Sequence, residues 1–489
     1  MLFNSLEFFV FFPVVTTLYY FVPHRDRWVV LLLAGCIFYM AFVPAYILIL
    51  ALLIVTDYAL GRQIEAAPPR FKRLWLGISL TANLGVLFLF KYFNFLNASL
   101  GQLAQAVGWT YPVGQLNLIL PIGLSFHTFQ SLSYIIEVYR GRYPAERHLG
   151  LYAVYVLFFP QLVAGPIERP QNLLPQVHAV HQLDYGNITT GLKQMAWGFF
   201  KKLVIADRLA IAVNQVYGNP HAYSGVALSV ATVFFAYQIY CDFSGYSDIA
   251  RGAARVLGFH LTLNFDRPYA THSIVDFWHR WHISLSSWFR DYCYIPLGGN
   301  RTSRLRQYAN LLITFLVSGL WHGANWTFVI WGALHGSYLI GHHMTATWPA
   351  RLTHRWGLAR WPRLKQVGQV GLTFALVCFA WIFFRANTVT EAWYIATHLF
   401  SGLGSFVRAV LEQKSLVGLG LGLGSTDLMV ALVAIGIMEI VQAFHARESW
   451  VSRLARQPAW ARWGLYYGLL LSVLLFGKFN RSAFIYFQF

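Results

Sequence analysis

The chain has 489 residues, 57% hydrophobic and only 11% charged, against about 25% charged in an ordinary soluble domain, which excludes a water-soluble enzyme. Its 37 Lys+Arg against 19 Asp+Glu leave a net charge of +18, and in so apolar a chain that excess reports membrane-flanking loops and lipid headgroups rather than nucleic acid. The four cysteines, Cys36, Cys241, Cys293 and Cys378, lack the paired spacing of a metal site or disulfide framework.

Apolar stretches of spanning length, roughly 17–25 residues, recur from one end of the chain to the other, so one integral membrane domain over 1–489 is expected. The first stretch has no basic residue ahead of it and no small-residue cleavage site after it, unlike a secretory signal, and is read as a retained span at 6–23. Further spans are predicted at 28–43, 45–60, 74–96, 115–137, 149–163, 188–214, 226–241, 308–320, 325–343, 367–385, 427–444 and 464–480. Several of these are too short to cross alone. In "FFPQLVAGPIERP", Pro160, Pro166 and Pro170 forbid a regular helix, and broken backbone at membrane depth survives only inside protein or beside a water-filled cavity. Basic residues after spans one and three, Arg25, Arg27, Arg62, Arg70, Lys72 and Arg73, place the N-terminus outside the cytoplasm. The loops at 298–307 and 351–366 are also basic and are read as cytoplasmic, and the glycine-rich 418–424 as a loop or helix start without a phosphate-loop pattern.

Polar residues in the apolar middle mark the candidate chemistry. "QIYCDFSGYSDIARG" carries Asp242 and Asp248; they suit an acid and a base, or simple pairing, with Arg251 three residues after Asp248. "FDRPYATHSIVDFWHRWHISLSSWFRDYCYIPLGGNR", 265–301, mixes tryptophans with basic heads and suits an interface or a funnel lining. His279 and His282 within it, three apart, would share a helix face, but no carboxylate or cysteine completes a metal set. "SGLWHGANWTFVIWGALHG", 318–336, places His322 in a run otherwise fit for lipid. Two readings are open: a histidine hydrogen-bonded between helices, or a positioned base of the kind that intramembrane ionisable groups tend to mark. Gly319 and Gly323 would let another helix approach closely, and Ser318 and Asn325 share its side and would fix its tautomer.

At these residues the sequence resembles the membrane-bound O-acyltransferase family, in the bacterial branch of alginate O-acetylation and teichoic-acid D-alanylation. The stretches that carry the resemblance are "FFPQLVAGPIERP" with the following "LLPQ", "PIGLSFHTFQSLSYIIEVYRG", "YCDFSGYSDIARG", "FWHRWHISLSSWFRDYCYIPLGGNR", "SGLWHGANWTFVIWGALHG" and the terminal "FIYFQF". They cover nearly the whole chain in order. The resemblance implies an all-α integral membrane bundle around a central tunnel, with re-entrant or interfacial helices. It implies His322 as the catalytic histidine, His282 as its companion on the tunnel wall, and acetyl-CoA, bound from the cytoplasm and not tightly held, as donor. Arg301, Arg304 and Arg306 would hold its phosphates or serve only as positive-inside markers. Tyr486, set among phenylalanines in the last six residues, is a candidate acyl relay, or one more member of an aromatic interfacial belt. Similarity to this branch further implies a bacterial inner-membrane location, a periplasmic serine-hydrolase-like (SGNH) acetyltransferase as partner, and an exopolysaccharide or cell-wall polymer, alginate among them, as final acceptor. The competing readings are an acyltransferase of the same family acting on a lipid or protein, and a transporter, which commonly shows two related halves that this sequence does not display.

Overall fold

The computed structural model describes residues 1–163, 165–345, 361–402, 404, 421–445, 456–479 and 484–485. Tyr486, the greater part of the basic stretch at 351–366 and part of the glycine-rich 418–424 lie outside them. The described residues are helical and turn structure without a strand. Among the described residues, six helical segments are long and apolar enough to cross a membrane: Pro44–Ala66, Pro69–Ala106, Gly225–Val256, Pro362–Arg385, Ser425–Phe444 and Ala459–Phe476. The protein is a multi-pass, all-α membrane protein. The chain divides into two compact units, Met1–Met195 with Tyr246–Thr262, and Ala196–Gly245 with Leu263–Phe489.

The first unit contains α1 (Leu6–Phe21), α2 (Arg27–Met40), α3 (Ile47–Ala66), α4 (Pro69–Leu87), α5 (Phe93–Ala106), α6 (Leu124–Tyr139), α7 (Leu149–Leu157), α8 (Pro170–His178) and the greater part of α9 (Tyr185–Phe199). Asp57 of α3 is fully buried, and Ser79 Oγ (2.6 Å) and Asn83 Nδ2 (2.9 and 3.0 Å) of α4 donate to its carboxylate. Polar groups of this kind hold apolar helices together where hydrophobicity cannot tell lipid from protein. The proline-broken backbone after α7 is buried, as expected, with Phe158, Phe159, Leu162, Val163 and Ile167 inside the unit. Side chains supply the partners that a helix would have supplied: Gln161 Nε2 donates to Tyr155 O at 2.9 Å, and the Tyr155 hydroxyl to Glu168 O at 2.9 Å.

Several span boundaries move, each for a local reason. The stretch expected at 115–137 becomes helical only at Leu124, because Pro121 lacks a donor and Gly123 takes a left-handed φ of 77°. The stretch at 149–163 holds a nine-residue helix, too short to cross. The run at 188–214 is α9, a π-helical segment Phe200–Ala206 and α10 (Asp207–Gly218). Reading 226–241 as a span stopped at Asp242, but α11 (Gly225–Val256) continues through it for 32 residues, about 48 Å at 1.5 Å per residue. A paired carboxylate does not interrupt a helix whose backbone is satisfied internally.

Candidate active site

Both predicted histidines lie in the second unit. The segment 265–301 contains two seven-residue helices, α12 (Ile274–Arg280) and α13 (Ile283–Phe289), with a π-helical turn after them. His279 and His282 therefore do not share a helix face. The chain breaks at Trp281, His279 is exposed, and His282 is buried at the start of α13. His282 adopts φ 45° and ψ 56°, a left-handed conformation rare outside glycine, of the kind that clusters at functional sites. Buried Asn264 holds the turn: its carbonyl accepts from Ile283 N at 2.9 Å, and its Oδ1 from Ser284 N (3.3 Å) and Ser284 Oγ (2.7 Å). The His282 ring meets Phe243 edge-on at 4.6 Å between centroids. Burial pushes its pKa down to about 3, which favours the neutral imidazole.

His322 is the last residue of α14 (Arg304–His322), where Gly323 ends the helix. A helix C-terminus carries a partial negative charge, which favours the positive charge an imidazole gains on taking a proton, by up to about 2 kcal/mol in partly buried geometry. The ring is 5% exposed and packs edge-on against Trp331 (4.9 Å) and Phe384 (5.3 Å). Trp321 connects the two sites: its ring lies 5.0 Å from His322 and 6.3 Å from His282. The two imidazoles thus flank one buried indole.

The glycines near His322 have the expected consequence. A Cβ on Gly319 would stand 2.2 Å from Phe328 O, one on Gly332 2.3 Å from Phe315 O, and one on Gly323 2.1 Å from the Phe328 ring. α14 and α15 (Trp326–Met344) therefore pack backbone to backbone. The expectation for Asn325 is corrected, because this residue caps α15: its Oδ1 accepts from Thr327 N (3.0 Å) and its Nδ2 donates to Asn387 O (3.1 Å), so the side chain is spent on the helix start.

Arg301, Arg304 and Arg306 are exposed. They sit at the opposite end of α14 from His322, and the helix spans 19 residues, roughly 27 Å. The structure does not bring them beside the histidines. Asp242 and Asp248 do not form a pair either: six residues apart on α11, they project to different sides. Asp242 contacts Lys202 Nζ at 2.7 Å, while Asp248 accepts from Gln194 Nε2 at 3.1 Å.

A model of the membrane-bound O-acyltransferase family matches residues 147–387. The chain is 40% identical to the "probable alginate O-acetylase AlgI" of Pseudomonas aeruginosa over 426 residues, 86% of this chain and 79% of that protein. It belongs to the membrane-bound O-acyltransferase family. It is also 40% identical to the protein of the same name from Azotobacter vinelandii (91% of this chain, 86% of that one). With the "peptidoglycan O-acetyltransferase" of Helicobacter pylori the identity is 35% (80% and 78%). The chain is thus an O-acyltransferase, and the matched region contains His282, His322 and Asp242.

Sequence reasoning passed over two features of this site. One is Lys202, buried in "GFFKKLVIAD"; a lysine inside an apolar run is the signal that marks it. The other is His335, fully buried on α15, whose Nδ1 accepts from Trp278 Nε1 at 3.3 Å and whose ring lies 4.9 Å from Trp331.

Proposed function

We propose that this enzyme takes an acetyl group from a cytoplasmic thioester, acetyl-CoA, and passes it across the bacterial inner membrane for O-acetylation of an extracytoplasmic polysaccharide. The observation that carries the reading is the pair of buried imidazoles about Trp321, in a chain 40% identical to an alginate O-acetylase. His322 acts as general base: its imidazole takes the proton of an attacking hydroxyl as the oxygen adds to the thioester carbonyl. The C–S bond then breaks, and the imidazolium returns the proton to the leaving thiolate. His282, held neutral and fixed by Asn264, lines the same site. A periplasmic serine-hydrolase-like acetyltransferase receives the group and delivers it to the polymer. The test is the O-acetyl content of purified envelope polymers from a deletion strain. One polymer is expected to lose its acetyl esters and to regain them with the wild-type gene. Unchanged O-acetylation of every polymer overturns the reading.

Arg301, Arg304 and Arg306 are proposed as the phosphate site of the donor, since guanidinium forks suit phosphate oxygens. Their exposure at the far end of α14 fits a headgroup that stays at the surface while its thioester arm reaches inward. Charge reversal of all three is expected to weaken the apparent donor affinity about tenfold or more, at the scale of one or two charge-assisted bonds. Titration of purified protein with acetyl-CoA measures it, and an unchanged affinity removes the phosphate site while leaving the acyltransferase assignment intact.

A further inference from the structure

The C-terminal segment after the last helix is tied down at both of its described ends. At the near end, Arg208 Nη2 donates to Phe476 O at 2.7 Å, Lys478 N donates to Leu203 O at 3.0 Å, and Asp427 accepts from both Arg208 Nε and Lys478 Nζ at 3.0 Å. At the far end, Phe484 and Ile485 are each 1% exposed. Ile485 N donates to Asp242 Oδ2 at 2.8 Å.

The carboxylate that accepts from Ile485 belongs to a buried ion cluster. Asp242 Oδ1 lies 2.7 Å from Lys202 Nζ, which also contacts Asp207 Oδ1 at 2.9 Å. Lys202 is shared between two carboxylates, so Asp242 retains acceptor capacity that the lysine alone does not fill. A backbone N–H donated to an ionised carboxylate is a charge-assisted bond, stronger than one between neutral groups. Lys202 itself sits in the π-helical segment Phe200–Ala206, a local distortion that often accompanies functional sites. From the clamp, the contacts lead to the candidate site: the Phe484 ring lies 5.5 Å from Phe243, whose ring meets His282 at 4.6 Å.

We propose that Asp242, held by Lys202, is a positioning residue for the chain's own backbone at Phe484–Ile485, so that these two residues form part of the acyl-transfer site along the Phe243–His282 wall. The inference rests on the proposed acetyl transfer at His322 and His282. It gives the Lys202–Asp207–Asp242 cluster a role beyond joining α11 to the π-helical segment.

The test uses the full-length protein in lipid nanodiscs and the substitution Ile485→Pro, which removes the N–H donor and leaves all three charged side chains in place; Ile485→Val is the conservative control. Three quantities are read: the rate at which carboxypeptidase trims the chain through residue 485, the turnover, and the apparent donor KM. For Ile485→Pro, trimming is expected to speed up and turnover to fall, each about tenfold or more, the scale of one charge-assisted hydrogen bond. Donor KM and melting temperature stay near wild type, and Ile485→Val behaves as wild type. Wild-type protection from trimming, or a released tail with full turnover, overturns the proposal. A missing acetyl transfer in wild type would instead overturn the functional reading, and the trimming readout would still decide whether the clamp exists.

Discussion

His322→Ala is expected to lower acetyl transfer by about 10²–10⁴-fold, the usual contribution of a positioned general base, with folding and membrane insertion unchanged. The backbone contacts that seat this residue come from Gly319, Gly323 and Gly332 rather than from the imidazole, so removing the ring leaves the α14–α15 packing in place. The measurement is turnover of purified protein with labelled acetyl-CoA, with melting temperature as the control on folding. Retention of more than about a tenth of wild-type turnover would exclude the base role. His282→Ala separates the two histidines further. His282 is fully buried and lines the same site, so its loss is expected to lower turnover by less than the loss of the base at His322.

The legible parts of this protein were those governed by composition and backbone chemistry. The apolar runs gave the membrane class, the prolines gave the break after Leu157, and the glycines gave the close packing around His322. The illegible parts depended on tertiary partners. Asp242 reads as the end of a span or as half of a carboxylate pair, because its partner Lys202 lies 40 residues earlier in the chain, and only folding brings the two to 2.7 Å. His279 and His282 look equivalent at i and i+3 until the left-handed turn at His282 exposes one and buries the other. Asn325 looked like a tautomer partner for His322 since spacing cannot show that a helix start would claim its side chain.

Tyr486→Phe is expected to abolish polymer O-acetylation while leaving the tail anchored, because the clamp acts on the backbone of the preceding residue. The chemistry that motivates it is a relay. In the relay we propose, His322 would take the phenol proton as the Tyr486 oxygen attacks the thioester carbonyl, the C–S bond would break, and the thiol would leave with that proton. A serine hydroxyl of the proposed periplasmic partner would then attack the aryl ester, whose C–O bond would break, the serine proton passing to the oxygen to return the phenol. An aryl ester suits that second step, since phenol with a pKa near 10 is a far better leaving group than an alkoxide. The competing role, an aromatic belt at the membrane interface, is preserved by phenylalanine, so the substitution removes only the hydroxyl. Two measurements decide it: O-acetyl content of the polymer, and a hydroxylamine-labile acetyl group on the C-terminal peptide of wild type that is absent from the variant. Full O-acetylation by Tyr486→Phe would end the relay and leave direct transfer at His322. If Ile485→Pro still lost turnover in that case, the tail would be acting through its position beside the Phe243–His282 wall rather than through its phenol.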